Sequence, residues 1–304
     1  MMKNQDRYAV AVRKPNHEIE VRVSEYKGTI KNRSIRNLPI VRGVVNFVES
    51  LYLGMSTLMF SASFFEDEEE EDKGKKRCEG LTGEERKQLD AKEKKQEKAM
   101  MGGTVALAIV MALVLFFALP YFLSGIFRRV IASELLLSLI EGVIRLLIFL
   151  IYIVLISLTP DIRRTFMYHG AEHKCINCIE HGLELNVENV RKSSKQHKRC
   201  GTSFLLIVML ISIVFFMFIR VDSGILRLLI RLLLIPVIAG VSYEFIRLAG
   251  RYDNWLVNLL SQPGLWMQRL TTKEPDDDMI EVGIASVEAV FDWRKWQEVA
   301  DDVP

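Results

Sequence analysis

The spacing of apolar and polar positions divides the chain into unlike regions. Between residues 8 and 37 the two kinds alternate in short runs, YAVAV and then IEVRV, bounded by Pro15, Asn16 and Gly28. A period of two predicts two or three strands of a small β element over residues 1–37. From Leu38 to Phe65 the run is long and apolar enough for a membrane span but carries Arg42 and Glu49. Those charges favour an amphipathic or re-entrant helix at the interface over residues 38–65. Thr82 and Glu85 have capping-box spacing and predict a helix from Gly83 to about Met100, with Lys92, Lys94, Lys95 and Lys98 near anionic head groups. Four long apolar runs follow, Gly102–Leu123, Leu135–Leu158, Ser203–Ile219 and Ile225–Leu248. Each is close to the roughly 20 residues that cross a bilayer core. Trp255 and Trp266 then occupy interface-like positions in a segment interrupted at Pro263 and Gly264. A final helix is expected after a cap near Asp276, with Ile280, Ile284, Val287 and Phe291 on one face.

The pattern gives a mainly α fold: a polytopic membrane protein with about four transmembrane helices, a small N-terminal β element and a metal-binding loop. The expected segments are 1–37, 38–65, a linker at 66–81, a charged helix with two spans at 82–158, a loop at 159–202, two further spans at 203–250, and terminal interfacial and amphipathic helices at 251–304.

Composition and charge refine this picture. Half of the 304 residues are hydrophobic and 26% are charged, so the two kinds must be segregated. The seven consecutive acids from Glu66 to Asp72, followed by a basic cluster, read as a solvated linker. A net charge of +2 without a basic stripe interleaved with aromatics points away from nucleic acid. The expected partners are the lipid bilayer and either a second copy of the chain or another membrane protein. Four cysteines do not make a secreted disulfide scaffold, so a reducing compartment is the default. The amino terminus has no signal-peptide core, which leaves insertion to the spans themselves. Lys and Arg are abundant in the amino-terminal region and in 159–202, and this places both termini and that loop on the cytoplasmic side of the inner membrane. Arg128 and Arg129 dilute the contrast. Within the spans, Glu141 and Arg145 are spaced to pair, Arg227 and Arg231 add further charge, and Glu244 is either an acid near the site or neutralised by Arg247 or Arg251.

Candidate chemistry concentrates in 159–202, which holds four of the five histidines. The string HGAEH from His169 to His173 has the form H-x-x-E-H. On a helix, residues four apart share a face, so both imidazoles can reach one ion with Glu172 beside them as general base. Glu180, Glu184, His197 and Cys200 offer further donors, and zinc accepts nitrogen, oxygen and sulfur. A competing grouping joins Cys175 and Cys178 to His197 and Cys200 as a structural zinc knuckle. Two other readings stay open: a nucleophilic Cys200 activated at a helix start, and a solvated loop with ordinary histidines.

Several strings carry a resemblance: VRGVVNFVESLYLGM, YHGAEHKCINCIEHG, VENVRKSSKQHKRCGTSFLL, PVIAGVSYEFIRLAGR and PGLWMQRLTTKEPDDDMIEVGIAS. Together they resemble the bacterial DUF1385 family over nearly the whole chain apart from the acidic linker. The resemblance implies a multipass membrane protein and a metal-dependent enzyme. It carries over His169, Glu172, His173 and Glu180 from one string and His197, Arg199, Cys200 and Thr202 from another. Family members usually have other residue types at the positions of Cys175 and Cys178, which argues against the knuckle. They also usually have a Gly-rich segment ahead of the Met-Met pair, so any part that segment plays in a site is expected to be missing here.

The functional expectation is a zinc-dependent hydrolase at the cytoplasmic face of the membrane. His169 and His173 would be ligands, His197 or Glu180 would complete the set, Cys200 and Glu244 would be supporting or alternative donors, and Glu172 would be the base. The alternative is a non-catalytic scaffold or assembly factor with a structural metal; a transporter would need polar residues or broken helices aligned through several spans, of which Pro236 with Gly240 is the main trace.

Overall fold

A computed structural model of the chain describes residues 1–26, 28, 30, 38–65, 83–198, 200–219, 221, 223–252 and 254–301. The acidic linker, Thr82 of the capping box, Arg199 and residues 31–37 of the expected β element lie outside them.

The β element has three antiparallel strands in sequence order, β1 (Met2–Asn4), β2 (Arg7–Arg13) and β3 (Ile19–Glu25). Ala9 lies opposite Met2 on one side and Val23 on the other. The alternating apolar residues bury one face, with Val10 and Val12 inside.

The remaining elements are helices: α1 (Val41–Ala62), α2 (Gly83–Leu113), α3 (Leu119–Gly125), α4 (Glu134–Ser157), α5 (Pro160–Glu180), α6 (Val187–Lys192), α7 (Gly201–Met217), α8 (Gly224–Ala249), α9 (Trp255–Thr271), α10 (Asp277–Glu288) and α11 (Trp293–Asp301). One π-helical turn, Val114–Ala118, joins α2 to α3 just ahead of Pro120. A proline has no N–H for the preceding turn, and a widened turn accommodates the missing bond. The charged helix thus runs on into the first apolar run without a break at Gly102 and Gly103.

Among the described residues, four helices are long and apolar enough to cross a membrane: Val41–Ala62, Ala99–Arg129, Glu134–Ser157 and Gly224–Ala249. Their length and composition suggest a membrane protein. The number matches the sequence expectation, but the membership differs. Helix α7 has 17 residues, about 25 Å of rise, and falls short. Helix α1 qualifies by length and composition despite its two charged residues. Arg42 forms a two-pronged ion pair with Glu244 on α8, and Glu49 is buried. Small residues allow that contact: a Cβ on Gly43 would come within 2.9 Å of the Gly240 backbone. Glu244 is therefore neutralised by Arg42, a partner from the other end of the sequence.

Two further expectations are corrected. Residues 159–202 are not mainly a loop, because α5 fills half of them. Pro160 stands at the first helical position and Asp161 in the first turn, both favourable to helix initiation. Similarly, α9 continues through Pro263 and Gly264, and Gly264 lets it approach Ser203 of α7, where a Cβ would lie 2.9 Å away. The last expected helix is present, with Asp276 accepting from the Met279 N–H at 2.9 Å.

Helix α5 leaves the apolar bundle and meets the β element and α10. Its inner side joins Met2, Cys175, Cys178, Ile179, Val190, Ile280, Val287 and Trp293 in one buried cluster. Asn4 donates to the Val290 carbonyl and Arg13 pairs with Glu281 at 2.6 Å, tying the sheet to the C-terminal helices. This small polar domain carries the site.

Candidate metal centre

His169 and His173 stand one helical turn apart on α5, with ring centroids 4.4 Å apart. Cys200 comes from the segment just ahead of α7. One donor atom from each of the three lies within 4.8 Å of the others, and the Cys200 Sγ is 3.4 Å from His169 Nε2. Tetrahedral zinc, with Zn–N near 2.0 Å and Zn–S near 2.3 Å, holds its donors roughly 3.3–3.8 Å apart. The three residues fit such an ion with small adjustments.

The ring orientations have a cause in the backbone. His169 Nδ1 is 3.0 Å from the Thr271 carbonyl, and His173 Nδ1 is 2.8 Å from the Lys195 carbonyl. A carbonyl only accepts, so each Nδ1 carries the proton and each Nε2 keeps its lone pair for the cluster. This arrangement sets the tautomer of a metal-binding histidine.

The stretch from Arg191 to Gln196 is held in place by two buried side chains of α5. Lys174 Nζ donates to the Arg191 and Ser193 carbonyls at 2.8 and 2.9 Å, and Asn177 Nδ2 donates to those of Ser194 and Gln196 at 2.6 and 2.9 Å. Gln268 of α9 is fully buried and brackets His197, accepting from its N–H at 2.8 Å and donating to its carbonyl at 2.7 Å. Buried polar groups satisfied in this way fix a loop that has little regular structure of its own.

Electrostatics mark Cys200 out. Burial pushes its thiol up, but hydrogen bonds and charge from His169 and His173 outweigh that and hold it down at about 5. Burial pushes His169 down, and the hydrogen bond and charge of Cys200 raise it above its ordinary value. Cys200 is poised as a thiolate facing the two imidazoles.

Not every expected donor joins the group. His197 Nε2 lies 3.0 Å from Glu180 Oε2, so these two bond each other beside the cluster. Glu172 is half-buried and outside the three-donor group. It lines a cavity of about 490 Å³ together with His169, His173, Glu180, His197 and Cys200. His169 and Glu172 also line a second cavity of about 570 Å³ against β2 and the end of α1. Cys175 and Cys178 are fully buried in the apolar cluster, away from Cys200, so the zinc knuckle does not form. Glu184 is not in the group either. Sequence reasoning missed Lys174, Asn177, Gln268 and the two carbonyl acceptors. Lys174 stands inside the quoted HGAEHK string, where its burial has no sequence signature, and carbonyl roles leave none.

The fold and the cluster define a helical protein of membrane type with a polar domain holding a two-histidine, one-cysteine donor set. The family described as "Protein of unknown function (DUF1385)" matches residues 38–293, and the chain belongs to that family. It is similar to the "Uncharacterized protein YqhQ" of Bacillus subtilis (strain 168), at 34% identity over 284 residues, covering 92% of this chain and 85% of the relative. No solved structure matches the chain.

Proposed function

We propose that this protein is a membrane metallohydrolase whose ion, zinc by donor chemistry, is held by His169, His173 and Cys200 at the cytoplasmic face. The observation that carries the reading is three convergent donors, one short of a closed tetrahedron, on a cavity lined by a carboxylate. Structural zinc sites use four protein ligands, whereas catalytic ones use three and keep a position open. Bound there, zinc supplies Lewis acidity and brings water toward ionisation near neutral pH.

The chain's own residues supply the rest. The Thr271 and Lys195 carbonyls orient the imidazoles, and the buried clamp of Lys174, Asn177 and Gln268 holds Cys200 in reach. Glu172, half-buried on the same cavity, accepts a proton from the attacking water and returns it to the leaving group. The Glu180–His197 pair on the cavity wall offers a second polar contact for substrate.

Metal analysis of detergent-purified protein, with a hydrolysis screen over ester, amide and phosphoester substrates, tests the reading. Wild type should carry about one zinc per chain and His173→Ala very little. Glu172→Gln should keep its metal and lose turnover by about 10²-fold or more. A wild type without stoichiometric metal, or a His173→Ala variant that retains it, ends the proposal. X-ray absorption showing four protein donors would favour the non-catalytic scaffold.

A further inference from the structure

A second charged cluster lies at the opposite end of the bundle from the histidines. The chain direction shows this: α4 runs from Glu134 toward the site, and α7 runs away from Cys200 toward the start of α8. Between α4 and α8, Glu141 Oε1 accepts from Arg145 at 2.8 Å and from Arg231. Nearer the helix ends, Glu134 Oε2 pairs with Arg227 at 3.2 Å and Arg128 at 3.8 Å. Four guanidinium ions therefore share two carboxylates, leaving an excess of two positive charges among the described residues. Arg145, Arg227 and Arg231 are all buried.

Such an excess is costly in a bilayer. Part of it falls on aromatic rings, with both Arg145 and Arg231 over Phe216. Compensation is still incomplete, because Arg231 Nε is buried with no hydrogen-bond partner. Arg227 spends Nε and Nη2 on the Val221 carbonyl and Glu134, and its Nη1 has no bond among the described residues.

A cavity of about 200 Å³ opens beside these groups, lined by Arg128, Arg227, Ser124, Ser138, Tyr121 and Glu141. The carboxylate among them is already engaged by two arginines. Both contacts fall on Oε1, so the cavity holds that carboxylate beside the Arg128 and Arg227 guanidinium groups and the Ser138 hydroxyl, and the guanidinium groups are the ones that recognise a phosphate oxyanion.

We infer that this cavity binds a phosphate group, either the head group of an anionic lipid at the membrane surface or a free phosphate ion. The cavity sits near the end of α3 and the starts of α4 and α8, and an anion there offsets part of the positive excess among the described residues. The site is independent of the metal centre.

Thermal unfolding of the detergent-solubilised full chain tests it, with phosphatidylglycerol in mixed micelles or inorganic phosphate added at constant ionic strength. One or both probes should raise Tm saturably. A response to phosphatidylglycerol alone identifies a lipid head group, and a response to phosphate alone a free ion. Arg128 is about half exposed, so Arg128→Gln should fold, and it should need about tenfold more of the active probe. Ser138→Ala should weaken the response less, and His173→Ala should leave it intact. Absence of a response in wild type, an unchanged response in Arg128→Gln, or its loss in His173→Ala overturns the assignment.

Discussion

Helix α5 has two faces that treat cysteine in opposite ways. Toward the core, Cys175 and Cys178 are fully buried among Met2, Ile280, Val287 and Trp293, and burial pushes both thiols up. Toward the cavity, His169 and His173 meet Cys200, which is nearly as buried at 3% exposure yet is held down at about 5. Burial alone therefore does not decide the state of a thiol. The difference is the partner: weak acceptors and hydrocarbon on one face, two imidazoles aimed by backbone carbonyls on the other. One face makes a core and the other brings together a candidate donor set.

Replacing one cysteine from each face breaks the comparison most sharply. Cys200→Ala removes a donor, and bound zinc should fall from about one equivalent to background in metal analysis. Cys178→Ala should keep its zinc and lower unfolding stability by roughly 1–2 kcal/mol for the small void it leaves. Metal loss from Cys178→Ala would show that the two faces are not separate.

A pH series on metal-free protein sharpens it further. A thiolate reacts and a thiol does not. Alkylation of Cys200 by iodoacetamide should therefore reach half its plateau near pH 5, about four units below the ordinary thiol value of 9.0. Cys175 and Cys178 should stay unmodified at neutral pH until the chain unfolds, as mass spectrometry of the peptides would report. The linkage has the same sign: because its folded pKa is depressed, Cys200 contributes stability that is complete above its ordinary value and is lost as pH falls through about 5. Zinc should protect Cys200 from the reagent.

Much of this contrast was legible before the fold was known, and the reasons for the rest are physical. HGAEH gave the two histidines because a period of 3.6 makes i and i+4 neighbours. HKRC placed Cys200 among candidate donors without ranking it above His197 or Glu180. That ranking depends on which way His197 and Cys200 face once the chain leaves α6, and the carbonyls taken by Lys174 and Asn177 hold that stretch. The four apolar runs were visible from hydropathy. The role of α1 was not, since the neutralising partner of Arg42 is Glu244, far away in sequence, and the close approach runs through Gly43 and Gly240. The site helix was read as part of a loop because polar residues dominate it, although Pro160 and Asp161 are helix-start signals.

The smallest expected effect concerns Glu274, in the link between α9 and α10. Its carboxylate pairs with Lys174 at 2.7 Å and Lys195 at 3.1 Å, and so connects the core-side clamp of α5 to the residue whose carbonyl orients His173. Burial pushes this carboxyl up, but the two ammonium groups outweigh it and hold it below the ordinary 4.5. A depressed carboxylate contributes stability that is present above its unfolded value and disappears as pH falls through the folded one. With 61% of its side chain exposed, the contribution is screened and belongs with surface pairs, about 0.2–1 kcal/mol. Glu274→Gln should therefore lower Tm slightly at pH 7. The gap should close as pH drops below 4.5 and should shrink in high salt. If the gap persists in acid and salt, Glu274 acts through packing rather than charge. If the variant binds zinc more than about tenfold more weakly, the Lys195 carbonyl has moved, and the two faces of α5 are coupled through this single carboxylate.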